Sequence, residues 1–135
     1  MRETDLAWLA GIIDGEGSIC LSKLHSNTTR TVVVSVANTD LEILNRCQSI
    51  AGKGCRVNVK KYKDHHTQAY DWRVTSDNAL SLLRSILPYL THSVKVARAN
   101  LLLDKYKEVT PRNGKYTKEM QQKKEEFVAK FYSFE

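Results

Sequence analysis

Residues 9 to 17 read Leu-Ala-Gly-Ile-Ile-Asp-Gly-Glu-Gly, which sets two carboxylates, Asp14 and Glu16, among three glycines at the end of an apolar run. Glycine in a helix interior costs about 1 kcal/mol relative to alanine, so an open backbone here must serve a purpose. A carboxylate beside uncovered carbonyl oxygens offers hard oxygen ligands of the kind Mg²⁺ takes. Ala7, Gly11 and Gly15 recur every four residues and on a helix form one stripe with almost no side-chain bulk. That stripe lets a second helix approach backbone to backbone. The neighbour can be another helix of the same chain, as in many cores, but carboxylates placed where the helix runs out argue for more than packing.

The elements that must hold these residues follow from the hydrophobic pattern. Thr4 and Asp5 are N-cap types, and eight residues without a polar side chain follow, which predicts a helix over 4–15 buried on nearly every side. Gly15 and Gly17 end it. Ser18–Ser22 and Thr31–Ala37 have strand character and flank a polar turn at 27–30, a first hairpin. Thr39-Asp-Leu-Glu42 has the form of a capping box, and Leu41, Leu44, Cys47 and Ile50 continue at helical spacing to Gly52. Cys55–Lys61 and Tyr70–Thr75 alternate as a second hairpin. Ser76 is the expected cap of a third helix that Pro88 stops, with further helices over Val94–Tyr106 and Lys118–Phe131. Glu108–Tyr116, with Pro111 and Gly114, is the one obvious linker. The order is α, ββ, α, ββ, α, then more helices, with two ββα units in tandem.

Antiparallel strands with one apolar face pack their helices on that side and present the other. In this register the open face carries Thr31, Ser35, Arg56, Asn58, Lys60, Asp71 and Arg73. Such a face is either simply solvated or a β-ribbon reader laid in a DNA major groove.

Composition narrows the class. At 135 residues the chain suits one domain, 1–135, with a full core. No run approaches the roughly 18–20 apolar residues of a membrane span and no signal-peptide pattern opens the chain, so a soluble, intracellular protein is expected. A net charge of +6, spread along the chain, favours a polyanionic partner, nucleic acid before membrane. Cys20, Cys47 and Cys55 lack metal or disulfide spacing and are expected to be reduced. His25, His65, His66 and His92 have no ligand partner at suitable spacing and are expected at the surface. Met120, Phe127 and Phe131 form the packing face of the last helix.

The stretch 9–17 resembles the LAGLIDADG signature of homing endonucleases. Leu9, Ala10, Gly11, Ile13, Asp14 and Gly17 match letter for letter, Ile12 and Gly15 are conservative, and Glu16 replaces the final aspartate. Leu-Pro-Tyr-Leu at 87–90, with Lys95 and Ala99-Asn100-Leu101, is similar to the family's segment after its second hairpin. The likeness covers roughly residues 5–105. It implies an α+β fold with an αββαββα core, a saddle-shaped antiparallel sheet and helices on one face.

The resemblance also implies roles. Glu16 would bind Mg²⁺ (or Mn²⁺) with the Gly15 carbonyl as a second ligand, and Asp14 would cap and brace the helix pair. Lys95 would stand near the cleavage centre to stabilise charge or polarise water, with Arg98, where glutamine is common, as the fallback; Asn38 would position solvent. A single motif implies a homodimer joined through Ala7, Gly11, Gly15 and Asp14, which brings two Glu16 together. The partner would be double-stranded DNA with a partly palindromic target, read by Ser22, Arg30, Ser35, Arg56, Asn58, Lys60 and Arg73 and cut to short 3′ overhangs. No membrane role is implied, and the setting would be a prokaryotic cytoplasm or an organelle. The alternative on the same fold is an intron RNA maturase or a non-cleaving DNA-binding protein, against which the retained acid at Glu16 argues.

Overall fold

The computed structural model describes residues 2–23, 30–52, 55–60, 68–111 and 115–134, without the side chains of Cys55, Arg56 and Lys60. His25, His65, His66, Lys61 and most of the 27–30 turn lie outside the described residues. The described elements are α1 (Glu3–Glu16), β1 (Gly17–Ser22), β2 (Thr31–Asn38), α2 (Leu41–Ala51), β3 (Cys55–Lys60), β4 (Ala69–Thr75), α3 (Ser76–Ile86), α4 (Ser93–Lys105) and α5 (Lys118–Ser133), with short 3-10 turns at Leu87–Tyr89 and Lys107–Val109. The αββαββα order holds.

The four strands form one antiparallel sheet in the order β1-β2-β4-β3, so the two hairpins meet through β2 and β4. Alternation decides the faces. Ile19, Leu21, Val32, Val34, Val36, Trp72 and Val74 turn to the core and are almost wholly buried. Helices α1, α2 and α3 supply Leu9, Ile13, Leu44, Cys47, Leu83 and Ile86 against them. Burial pushes the Cys47 thiol up to about 11, against a backbone hydrogen bond and with a small push from Glu16. It is an inert packing group. Cys20 is likewise a free thiol.

Several local expectations are corrected. Helix α1 begins at Glu3 with Arg2 at its N-cap and no side-chain cap, so Thr4 and Asp5 lie inside the first turn; there Glu3 and Asp5 face the positive end of the helix dipole. Nor is α1 buried all round: Leu9, Ala10 and Ile13 are, whereas Ala7, Gly11 and Gly15 face outward. Helix α2 is capped by Asp40, whose side chain accepts from the Glu42 N–H at 2.9 Å, rather than by Thr39, because Thr39 lies one residue too early. Thr75 holds the N-cap of α3, and Ser76 enters that helix at φ 56°, a left-handed conformation that costs an L-residue about 1–2 kcal/mol.

In the expected linker, residues on both sides of 112–114, which lie outside the described residues, are tied to α5. Lys124 of α5 donates from Nζ to Thr110 Oγ1 at 2.6 Å and to the Tyr116 hydroxyl at 3.4 Å, and stands over the Tyr106 ring. Phe127 and Phe131 anchor α5 to the core as the spacing predicts. Farther along α5, the Tyr132 hydroxyl donates to the Leu21 carbonyl at 2.8 Å and accepts from the Leu21 N–H at 3.0 Å. One side chain thus meets both hydrogen-bonding groups that Leu21 presents on the outer edge of β1.

Candidate active site

The last turn of α1 is held by a reciprocal exchange with the start of α4. The Asp14 carboxylate accepts from the backbone N–H groups of Thr91 and His92 at 2.9–3.1 Å, satisfying donors that precede the first turn of α4. In return Lys95, from that first turn, donates to the carbonyls of Ile13 and Asp14, each at 2.7 Å. A carboxylate lies at a helix N-terminus and an ammonium at a helix C-terminus, so both helix dipoles favour the arrangement. Burial pulls the Lys95 ammonium below its ordinary value, while the Asp14 charge holds it up and Arg98 adds to the fall.

Glu16 closes α1 and projects into solvent. Its Oε2 accepts from Asn38 Nδ2 at 2.6 Å, and Asn38 Oδ1 in turn accepts from the Asp40 N–H at 2.8 Å. The amide is thereby locked and presents its donor to the acid. Gly17 makes the turn from α1 into β1 possible by closeness rather than by an unusual dihedral: a Cβ there would stand 2.7 Å from the Ile13 Cα. Gly11 and Gly15 differ, since a Cβ at either meets nothing within 4 Å. No described helix of the same chain presses on them, and packing among the described residues does not account for the stripe.

Glu16, the Gly15 carbonyl, Asn38 and Lys95 therefore gather around one helix end. Lys95 arrives with its described bonds spent on α1's own carbonyls. Asp14 braces α4 and does not share the outward stripe. Arg98 lies elsewhere: its Nη1 donates to the Ile19 carbonyl at 3.2 Å and its guanidinium stacks near Phe131 and Tyr132. The structure adds the backbone of Thr91 and His92, which sequence reasoning missed because backbone donors have no letter of their own.

Among the described residues no group of three or more His, Cys, Asp or Glu side chains could hold a metal ion. One protomer offers one exposed carboxylate and a neighbouring backbone carbonyl, all hard oxygen. That set fits Mg²⁺, which is held through one or two carboxylates and takes its other ligands from water and substrate phosphates. Glu16 and Gly15 are the residues that would hold it.

The sheet face opposite the core carries Ser18, Cys20 and Ser22 on β1, Thr31, Val33, Ser35 and Ala37 on β2, and Asp71, Arg73 and Thr75 on β4. In β3 the backbone register places Arg56 opposite Arg73, Asn58 opposite Asp71 and Lys60 opposite Ala69. All of the expected face residues share this face. Ser35 spends its hydroxyl on Ser18 at 3.0 Å. Arg30, just before β2, turns back to the Leu21 carbonyl at 3.0 Å and stands near the Tyr132 ring. Arg73 Nε lies 2.5 Å from Asp71 Oδ2.

The profile of the LAGLIDADG endonuclease family matches residues 9–110. The chain belongs to this family. No curated protein sequence matches it at a significant level. Solved LAGLIDADG-type structures share its fold. The archaeal intron-encoded homing endonuclease I-Vdi141I, complexed with DNA, is similar over 100% of this chain and 86% of that one, at 16% identity and a TM-score of 0.64. I-SmaMI, bound to uncleaved DNA target in the presence of calcium ions, is similar over 99% of this chain and 46% of that one, at 20% identity and a TM-score of 0.68. I-LtrWI, a LAGLIDADG homing endonuclease bound to target DNA, covers 96% and 45%, at 23% identity and a TM-score of 0.62. The chain spans less than half the length of these last two. Among the described residues of this LAGLIDADG chain, no helix is long and apolar enough to cross a membrane.

Proposed function

We propose that the protein is a homodimeric, divalent-metal-dependent, site-specific double-strand DNA endonuclease, with residues 1–135 as one endonuclease module. The observation that carries this reading is an exposed Glu16 at the end of a helix whose Ala7, Gly11 and Gly15 are exposed, with nothing among the described residues within 4 Å of a Cβ at either glycine. A twofold axis along that stripe brings two copies of Glu16 together at the floor of the sheet. Paired carboxylates repel, and the two Glu16 side chains would hold a divalent cation that offsets that repulsion.

The protein's own groups do the rest. Glu16 and the Gly15 carbonyl would hold the cation, Mg²⁺ or Mn²⁺, which would supply Lewis-acid chemistry at the phosphodiester. Asn38 fixes the Glu16 carboxylate and would orient solvent beside it. Lys95 holds the α1 terminus and supplies positive potential to phosphate charge that grows in the transition state. Ser22, Ser35, Arg56, Asn58, Lys60 and Arg73 present the reading face to the major groove, with Arg30 bracing the hairpin beside it. A twofold protein reads a partly palindromic site and cuts one phosphodiester in each strand across the minor groove, leaving short 3′ overhangs. Doubling the +6 charge suits a long phosphate backbone and gives steep salt dependence.

The test is incubation of the purified protein with a plasmid carrying the DNA that flanks its own gene, with and without Mg²⁺. Metal-dependent linearisation by the wild type and none by Glu16→Gln supports the assignment. Binding of DNA or RNA without any cleavage overturns it in favour of a non-cleaving binder or a maturase.

A further inference from the structure

On the sheet face turned away from the core, one carboxylate is almost fully buried: Asp71 is 6% exposed. It sits on β4, a central strand, between Ala37 of β2 and Asn58 of β3. A negative charge fixed on a face turned to a polyanion is unfavourable unless it serves a cation, and among the described side chains that cation is Arg73, two residues along the same strand and face. The contact runs through Arg73 Nε at 2.5 Å, and the Arg73 side chain remains 45% exposed. With Nε taken, the end-on pair of terminal guanidinium nitrogens is left for a planar acceptor outside, and no other partner takes them among the described residues.

Resting on the endonuclease reading above, we propose that Asp71 is a positioning residue that aims Arg73 at a guanine in each half of the DNA target. In the major groove guanine presents N7 and O6, two acceptors at the spacing of the arginine fork. Arg73 lies mid-sheet, in the row between Ser35 and Arg56, and a sheet laid along the groove would set its central strands over the base edges and its outer strands nearer the phosphates. That position favours a base edge over the backbone. Holding the guanidinium before binding removes part of the side-chain ordering cost of a long, flexible residue. Buried as it is, Asp71 itself does not reach the DNA.

Selection of bound duplexes from a randomised library, with the intact wild type, Arg73→Ala, Asp71→Ala and Asp71→Asn, tests the assignment. The wild type is expected to enrich guanine at one position per half-site. Arg73→Ala should lose that preference there alone, a change of about 5- to 150-fold in discrimination. Asp71→Ala should lose much of it at the same position, and Asp71→Asn, whose amide oxygen still accepts from Nε, should keep more. A guanine preference unchanged in Asp71→Ala overturns the proposal. So does an even loss of affinity at every position, the mark of a phosphate contact or a damaged fold, and the isosteric Asp71→Asn with its melting curve separates those two. A wild type that enriches no duplex at all overturns the endonuclease reading itself, a result distinct from loss at one position.

Discussion

Replacing Gly11 and Gly15 with alanine should move stability and assembly in opposite directions. In the isolated protomer a Cβ at either site meets nothing within 4 Å, so the substitution is sterically free. At Gly11, mid-helix, alanine gains close to the full propensity difference of about 1 kcal/mol, and at Gly15, one residue before the end of α1, rather less. The double variant should gain roughly 1–1.5 kcal/mol as a monomer. For a chain of this size that raises Tm by about 3–6 °C. In a twofold dimer the same methyls, two from each copy, stand between helices that touch along the stripe. Overpacking of that kind costs about 1–3 kcal/mol, a 5- to 150-fold rise in the dimer dissociation constant. Sedimentation velocity over a dilution series, beside thermal melts at concentrations where the wild type is monomeric, measures both quantities. An unchanged dissociation constant with a raised Tm refutes the stripe as the interface. A lowered monomer Tm refutes the steric reasoning itself.

Other outcomes follow from the same geometry. Glu16→Gln should abolish metal-dependent cleavage yet retain DNA affinity, as seen by gel shift beside a plasmid assay. Gly17→Ala should cost about 1–3 kcal/mol in denaturant unfolding, because its Cβ would meet the Ile13 backbone at 2.7 Å and one strand of backbone must move. Asp14→Ala should cost about 1–3 kcal/mol, read the same way, because it leaves the Thr91 and His92 N–H groups without their acceptor. Burial of Lys124 pulls its ammonium down to about 8 from an ordinary 10.5, so the unfolded chain binds more protons between those values. Its contribution is therefore a penalty, present in full below pH 8 and relieved as pH rises toward 10.5. The stability difference between Lys124→Met and the wild type should accordingly be largest near pH 7, at most about 3 kcal/mol, and shrink by pH 10 in urea titrations.

The sequence carried the sheet almost completely, because period-two alternation is a local signal that burial enforces on every strand: Val32, Val34 and Val36 could face only one way. It carried the signature acids for the same reason, since they sit in one unbroken stretch. Caps were less legible. Asp40 and Thr39 are both capping types, and which one precedes the first helical residue depends on where the chain leaves β2. Periodicity reads α1 as buried on nearly every side because alanine and glycine are apolar to a composition argument, whether they face a core or a second molecule; the four-residue spacing of Ala7, Gly11 and Gly15 is what marks that side as a helix-pairing surface. Lys95 and Asp14 lie 81 residues apart, and their exchange between helix ends depends on a meeting of α1 and α4 that only the tertiary fold decides. The same holds for Asp71, whose burial on an open face has no signature in periodicity.

The Tyr132 clamp on β1 has a bearing on the order of synthesis. Its two partners are 111 residues apart, so the Leu21 N–H on the outer edge of β1 is made early and meets the Tyr132 hydroxyl only once α5 has been synthesised. At roughly 5–20 residues per second that interval is on the order of ten seconds. During it an unpaired strand edge is available to any other strand nearby, including that of a sister chain on the same message. The nascent protein passes through a window in which the wrong partner is closer than the right one.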